Sequence, residues 1–276
     1  MNIGIFFFSA TGITELISNY IATILERAGH RVKLKNIITR ESRKSQDDFL
    51  EFDACIFGFP VFGGRPPIVA EEWMSTLNGK GQKCSMFFTY GARDLEWAHQ
   101  VTYYLLSQAN FRVVLSAEFI GKHSFSVANG WSLAEDRPNQ SDLEIVTKFA
   151  LNSISRFQKD IKFTVDLSSF TYEPLETEET TDEWAKFYPS RVENDCTMCY
   201  VCENECPVNA FDAESGTTNR KLCITCMHCV TICPDGLIQI GDVSQLFKDF
   251  LKRTGLTKEI VDNKKSKIFF EIGVER

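Results

Sequence analysis

The sequence lacks several features that would reveal a location or a cofactor. It has no apolar run near the roughly 20 residues that a membrane-spanning helix requires. Its start, MNIGIFFFSA, lacks the basic residues of a secretory signal peptide, and its apolar stretch is short. Neither the Walker pattern G-x-x-x-x-G-K-[ST] nor the dinucleotide pattern G-x-G-x-x-G occurs. These absences predict a cytoplasmic protein that has no nicotinamide fingerprint.

Positive charge is also scarce, since 30 Lys and Arg residues face 37 Asp and Glu residues and the net charge is −7. Nucleic acid is therefore excluded as an expected partner, because binding to its phosphates requires a basic surface. A protein with a complementary basic surface is expected instead. At 276 residues the chain is long enough for two domains, and association into a homodimer stays open.

Cysteine, in contrast, is present in an unusual arrangement. Eight of the ten cysteines form two copies of C-x2-C-x2-C-x3-C-P: Cys196, Cys199, Cys202 and Cys206, then Cys223, Cys226, Cys229 and Cys233. A spacing of two lets a tight turn direct successive thiolates at one cluster. A zinc site does not need four cysteines in each run, and a disulfide framework would imply a secreted chain. The other two, Cys55 and Cys84, lie in apolar strand patterns and are predicted to be core residues.

The repeated cysteine motif resembles that of the bacterial dicluster ferredoxins. The resemblance implies two 4Fe–4S clusters, with the fourth cysteine of each run ligating the other cluster. One cluster would then be held by Cys196, Cys199, Cys202 and Cys233, and the other by Cys223, Cys226, Cys229 and Cys206.

The start of the chain predicts a strand, a helix and a second strand. Ile3 to Phe8 is an apolar run typical of a strand buried on both faces. Apolar residues then recur with helical spacing from Ile13 to Leu25. The turn between them, Ser9 to Thr14, carries three hydroxyls and a glycine where a helix N-terminus favours anions. A phosphate site and a plain helix cap are both open interpretations of this turn.

Three later strands end in glycine-containing loops. The strands are predicted at Asp53 to Phe59, Cys84 to Thr89 and Arg112 to Ile120. Ligands of doubly wound sheets bind at the carboxyl ends of the strands, so these loops should converge with the Ser9–Thr14 turn. A flat aromatic cofactor with a phosphate tail fits that edge.

These loops resemble those of the short-chain flavodoxins. The first matches their S-x-T-G-N-T phosphate loop, except that Ile13 stands where the family has Asn, and two later loops resemble the flavin-contacting loops. The resemblance implies FMN bound by Ser9, Ala10, Thr11, Gly12, Ile13, Thr14, Pro60, Val61, Phe62, Gly63, Gly64, Thr89, Tyr90, Gly91, Arg93 and Asp94. His123, after the fifth strand, is a candidate proton donor to the flavin or its substrate, the alternative being a hydrogen-bonded structural histidine. Lys122, beside it, is the other candidate donor.

Taken together, the motifs resemble flavodoxin–ferredoxin fusion proteins of anaerobes. The predicted fold is α/β, with a doubly wound parallel five-stranded sheet of order 2-1-3-4-5 and a smaller α+β dicluster domain. The expected division is a flavodoxin-like domain at 1–160, an acidic linker at 161–190, a ferredoxin domain at 191–241 and an extension at 242–276 that packs on a domain. The linker contains seven acidic residues and no Lys or Arg between Phe163 and Ala185. It is either a solvated connection or a docking surface for a basic reductase.

Two functions follow from these cofactors. The first is an electron carrier that relays single electrons between a redox partner protein and FMN through both clusters. The alternative is a flavin-dependent reductase of a small organic substrate, supplied with electrons by its own ferredoxin domain.

Overall fold

The computed structural model describes residues 1–44, 49–128, 130–175, 184–193 and 195–273. The strands are β1 (Asn2–Phe7), β2 (Arg31–Asn36), β3 (Ala54–Pro60), β4 (Lys83–Tyr90), β5 (Arg112–Ile120), β6 (Ser190–Arg191), β7 (Phe211–Asp212), β8 (Thr217–Thr218), β9 (Ile238–Gln239) and β10 (Lys267–Phe269). The helices are α1 (Ile13–Arg27), α2 (Arg40–Lys44), α3 (Ile68–Ser75), α4 (Ala98–Gln108), α5 (Gln140–Phe157), α6 (Val201–Asn204), α7 (His228–Ile232), α8 (Ser244–Thr254) and α9 (Lys258–Asn263).

One large sheet organises the first part of the chain. Its order is β10-β5-β4-β3-β1-β2, and β1 to β5 are parallel. The predicted parallel sheet of order 2-1-3-4-5 is therefore confirmed. A sixth strand from the tail, β10, adds antiparallel to β5, with Lys267 opposite Glu118 and Phe269 opposite Ser116. We call β1–β5, α1–α5 and β10 the α/β half.

Alternation along the buried strands supplies two apolar layers. In β1, Phe6 belongs to the layer that includes Trp73, while Ile5 belongs to the layer that includes Ile17 and Phe149. Successive side chains of a strand point to opposite faces, so a continuous apolar run fills both layers. Cys55 and Cys84, as predicted, are completely buried in the sheet.

The tail is fastened to the α/β half by a buried charged network. Arg137 donates to the Asp142 carboxylate, and the two side chains are 3% and 1% exposed. Arg137 also donates to the backbone carbonyls of Val261 and Lys264, while Ser266 donates to Asp142. The predicted packing of the C-terminal extension on a domain thus takes the form of these contacts and of β10.

The segment before the cysteine motifs lies against α4. Phe170 packs on Trp97 at 5.8 Å, and Tyr172 stacks on Tyr104 at 5.1 Å between ring centroids. Residues 176–183, which carry most of the acidic charge of the predicted linker, lie outside the described residues. Farther on, Phe187 stacks on Phe125 of the α/β half with centroids 4.5 Å apart.

The cysteine motifs form a much smaller unit, which we call the cysteine half: β6 to β9 with α6 and α7. In the described part of this half, β6 pairs with β9 and β7 pairs with β8, two residues each. Its buried core consists of Cys206, Ala210, Phe211 and Ile238. None of the helices in the described ranges has both the length and the apolarity needed to cross a membrane.

Candidate cofactor sites

A cavity opens at the carboxyl ends of β1, β3, β4 and β5, where the four loops converge. It is lined by Ser9, Ala10, Thr11, Ile13, Thr14, Pro60, Val61, Phe62, Thr89, Tyr90, Gly91, Lys122, His123 and Ser124. The structure therefore brings together eleven of the sixteen residues that the flavodoxin resemblance implies, along with His123. Lys122 and Ser124 are further lining residues from the loop after β5.

The Ser9–Thr14 turn combines a helix start with an exposed glycine. Gly12 precedes α1 with φ of +91°, a left-handed conformation that favours glycine. Ser9 Oγ accepts the Glu15 N–H at 3.1 Å, and Thr14 Oγ1 lies 2.8 Å from Thr89 Oγ1. Ser9 thus serves partly as the cap that the plain interpretation expected. Thr14 instead connects the first loop to the third.

Five residues of the implied flavin set do not line the cavity. Gly12 adjoins it in the turn, Gly63 and Gly64 lie in the second loop, and Arg93 and Asp94 lie in the third. The Gly64 carbonyl accepts the Trp97 N–H at 2.9 Å, and a Cβ on Gly64 would lie 2.3 Å from Glu96 Oε2. Arg93 pairs with Glu96, whose N–H is accepted by Asp94 Oδ1 at 2.9 Å. Gly64 therefore contacts the third loop, while the charged groups of Arg93 and Asp94 are engaged within the third loop itself rather than at the cavity.

The third loop is closed in by its neighbours. A Cβ on Gly91 would lie 2.5 Å from His123 Cδ2, so only glycine fits there. Tyr90 Oη donates to Glu118 at 3.4 Å, and burial followed by the Glu118 charge raises its pKa. From the tail, Lys264 Nζ donates to the carbonyls of Ala92 and Arg93 at 2.9 and 2.6 Å. The C-terminal segment therefore braces a wall of the cavity.

His123 is held as a neutral side chain. Its Nδ1 accepts the Phe125 N–H at 3.1 Å, which leaves the ring proton on Nε2. Its ring packs 5.2 Å from those of Phe125 and Trp131. Burial, with a smaller contribution from Arg93, lowers the pKa of His123 to about 4. At neutral pH this residue offers a hydrogen bond rather than an ionised proton donor.

The cavity residues fit the cofactor that the loops imply. An FMN phosphate requires N–H and hydroxyl donors at a helix start, which Thr11 and its neighbours provide beside Gly12. An isoalloxazine ring requires flat apolar walls, which the side chains of Phe62 and Tyr90 can supply at the cavity rim. When bound, this group supplies one- or two-electron redox chemistry, and the protein supplies orientation and electrostatics.

The eight motif cysteines surround two further cavities. One is lined by Cys196, Cys199, Cys202 and Cys233, and the other by Cys206, Cys223, Cys226 and Cys229. Each cavity thus draws three cysteines from one run and the last cysteine from the other. No three Cys, His, Asp or Glu side chains in the described part of the chain converge on a single ion. A four-iron cluster does not require such convergence, because each thiolate binds its own iron.

The turns around these cavities direct backbone N–H groups at sulfur. The N–H of Met198 lies 3.4 Å from Cys196 Sγ, and that of Thr225 lies 3.4 Å from Cys223 Sγ. Burial raises the pKa of Cys223 to about 11 and that of Cys226 to about 12. Burying thiolates this deeply is unfavourable unless a metal compensates for their charge. The four-sulfur donor sets, with N–H groups beside them, fit iron–sulfur clusters.

Among the described residues, two side-chain hydrogen bonds connect the cysteine half to the α/β half. His228 Nδ1 lies 2.9 Å from the Ala10 carbonyl oxygen in the Ser9–Thr14 turn. Arg43 donates to the Pro207 carbonyl, and also to the carbonyls of Ile37 and Ile38 after β2. Sequence reasoning did not select His228, because its position between two predicted ligand cysteines suggested no role of its own.

Comparison with known proteins agrees with the cysteine pattern. Residues 188–234 match the family described as a 4Fe-4S dicluster domain. The chain is 34% identical over 59 residues to Ferredoxin-2 of Chlorobaculum tepidum, covering 18% of this chain and 95% of that protein. It is 38% identical over 56 residues to the indolepyruvate oxidoreductase subunit IorA of Archaeoglobus fulgidus, covering 20% of this chain. The match spans only 9% of the length of IorA.

Among solved structures, oxidised Flavodoxin 2 from Bacillus cereus is similar over 56% of this chain and 99% of that chain, at 21% identity and a TM-score of 0.45. The strand order of the α/β half, read from its own pairing, is the flavodoxin-like order. Through residues 188–234 the chain belongs to the dicluster 4Fe–4S ferredoxin family, and it is a fusion of that domain with a preceding domain of flavodoxin-like fold.

Proposed function

We propose that this protein is an electron carrier that relays single electrons between a redox partner protein and FMN by way of two 4Fe–4S clusters. The observation that carries the proposal is the contact between the two kinds of site. One four-cysteine cavity includes Cys226 and Cys229. His228, between them, contacts the Ser9–Thr14 turn, which lines the cavity at the carboxyl ends of β1, β3, β4 and β5. We call this second cavity the flavin cavity. Electron transfer depends steeply on distance, so a direct contact between the two sites favours exchange within one chain.

Each set of residues has a defined task in this proposal. The eight motif cysteines would ligate the clusters, and the backbone N–H groups beside them would stabilise the charge on sulfur. The loops after β1, β3 and β4 would hold the FMN phosphate and ring. The net charge of −7, which bound clusters would modify, favours a partner with a basic docking surface.

The state of His123 favours the carrier over the reductase. A reductase of a small organic substrate has to deliver protons as well as electrons, and His123 was a candidate donor. Because burial lowers its pKa to about 4 and Nδ1 is already an acceptor, it is not an ionised acid at neutral pH. Lys122, the other candidate, is paired with Glu135 at 2.7 Å.

Anaerobic purification followed by a spectroscopic redox titration tests the proposal. We expect one FMN and about eight irons per chain, the number that two four-iron clusters contain. Iron near zero in protein that was never exposed to oxygen would contradict it. Rapid reoxidation of the reduced protein by a small organic compound, in the absence of a partner protein, would favour the reductase instead.

A further inference from the structure

The two cysteine runs are close structural repeats that differ at one informative position. In both runs the residue before the short helix is left-handed, with φ of +58° at Tyr200 and +65° at Met227. The next residue is Val201 in the first run and His228 in the second. A turn of this shape therefore accepts valine, and the ring of His228 is not needed to form it.

The His228 contact falls on a peptide group of the phosphate turn. The Ala10 carbonyl can only accept, so the Nδ1 atom 2.9 Å away carries the ring proton and donates it. In a trans peptide the carbonyl and the following N–H point in opposite directions. Holding the Ala10 carbonyl toward the cysteine half therefore directs the Thr11 N–H away from it, and Thr11 lines the flavin cavity.

The surroundings make this contact part of a closed interface. Cys226 is 7% exposed and belongs to the same apolar cluster as Ala10, which is 6% exposed. Arg43 fixes the loop after Cys206 through the Pro207 carbonyl. Around the other cavity, by contrast, Cys199 is exposed and Tyr200 is 36% exposed. The cavity of Cys206, Cys223, Cys226 and Cys229 is thus the inner one. We call the run that begins at Cys223, which supplies three of its cysteines, the inner cysteine run.

We infer that His228 is a positioning residue for FMN: from within the inner cysteine run, it fixes the Ala10–Thr11 peptide in the orientation that presents a donor to the phosphate. This inference rests on the proposed function, because it assumes that the cavity binds FMN. Its consequence is that folding of the inner cysteine run strengthens FMN binding, and FMN binding stabilises the folded run. Coupling of this kind is reciprocal between the two sites.

The internal repeat supplies matched variants for a test. We propose to titrate FMN into cluster-loaded wild type, His228→Val, His228→Asn and Val201→His, and to measure quenching of FMN fluorescence and iron content. His228→Val copies the first run, and removing one hydrogen bond should weaken FMN binding about three- to tenfold at unchanged iron. His228→Asn places an amide N–H near the position of Nδ1 and should retain most of the affinity. Val201→His should leave the affinity unchanged.

The outcomes separate this inference from the function on which it rests. Equal FMN affinity in wild type and His228→Val would overturn the inference alone, as would a comparable loss in Val201→His. If His228→Val loses iron as well as FMN affinity, the result for His228→Asn is decisive. Weak FMN binding by His228→Asn at normal iron content would contradict a role for the hydrogen-bond donor. A wild type with full iron and no affinity for FMN would overturn the proposed function and this inference with it.

Discussion

The α/β half and the cysteine half are stabilised by different interactions. The α/β half buries two apolar layers, in which Phe57, Phe87 and Phe119 are completely buried. The described core of the cysteine half is a cluster of four buried residues, one of which is the predicted ligand Cys206. Burial of apolar area is the main favourable term in folding, so a core this small contributes little. The comparison indicates that the first half folds from its own core and that the second depends on its metal.

Removal of iron is the strongest test of that difference. When the clusters are chelated, we expect residues 188–241 to lose protection from amide exchange, because the free energy of metal binding is folding free energy in such small units. Strands β1, β3 and β4 should keep their protection. Hydrogen exchange measured by mass spectrometry on loaded and chelated protein compares the halves directly. Equal loss in both halves would show that the α/β half also depends on the clusters.

The exchange of cysteines between the two runs can be tested by counting iron. Cys206→Ser should remove about four of eight irons, because Cys206 lines the cavity of Cys223, Cys226 and Cys229. Adding Cys226→Ser should then remove little more, since both changes affect one cluster. Adding Cys199→Ser to Cys206→Ser should remove the rest. The reverse pattern would assign Cys206 to the cluster of its own run.

Sequence patterns predicted the elements of both halves better than the orientation of the loops between them. Individual strands, helix α1 and the cysteine motif follow from local patterns, namely apolar runs, helical periodicity and repeated spacing. The strand order and the exchange of the fourth cysteine between the runs were implied by the resemblance to known families. Gly64 and Arg93 were expected at the flavin, yet Gly64 contacts the third loop and Arg93 pairs with Glu96 of its own loop. Sequence spacing places a residue in a loop but does not determine which way the loop faces.

Contacts between distant segments were the least predictable. The extension at 242–276 was expected to pack on a domain, but the pairing of its strand β10 with β5 depends on Arg137, Asp142 and Ser266 meeting in space. The contact of His228 with Ala10 joins residues 218 positions apart. No local pattern encodes such a pairing, because each residue has an ordinary role in its own segment.

The buried pair of Arg137 and Asp142 should dominate attachment of the tail. Arg137→Met leaves a buried carboxylate without its partner, and we expect a loss of about 3–5 kcal/mol in the free energy of unfolding. Arg112→Met is the matched control, because its pair with Asp160 is largely exposed at 54% and 89%. The Arg112→Met variant should lose less than about 1 kcal/mol in the free energy of unfolding. Urea unfolding of cluster-loaded protein measures both, and similar values would contradict the role of burial.

Acid should weaken the α/β half through His99. This side chain is 6% exposed, its Nδ1 lies 2.8 Å from Ser116 Oγ, and burial lowers its pKa to about 3. The unfolded chain, with a histidine pKa near 6.5, therefore binds this proton more readily than the folded chain. Stability contributed by neutral His99 is present above about pH 6.5 and falls by up to about 1.4 kcal/mol per pH unit below it.

His99→Gln isolates that contribution from other titrating groups. Burial raises the pKa of Glu71 and Glu118, which therefore act in the opposite direction, but they are common to both proteins and cancel in the difference. Urea midpoints between pH 4.5 and 7 should show a shallower decline in the variant. An identical slope in both proteins would rule out His99 as the source.

The smallest effect is expected at Ile13, where the chain departs from the flavodoxin phosphate loop. Ile13 lines the flavin cavity and its Cγ2 lies 2.4 Å from where a Cβ on Gly121 would be. Ile13→Asn restores a donor that the resemblance implies, and one hydrogen bond worth about 1 kcal/mol should tighten FMN binding about fivefold. Ile13→Asp has nearly the same shape without the amide donor and should weaken binding. Because Ile13 belongs to the α/β half alone, iron content should not change in either variant, and a loss of iron would show that the halves are coupled beyond the contact of His228.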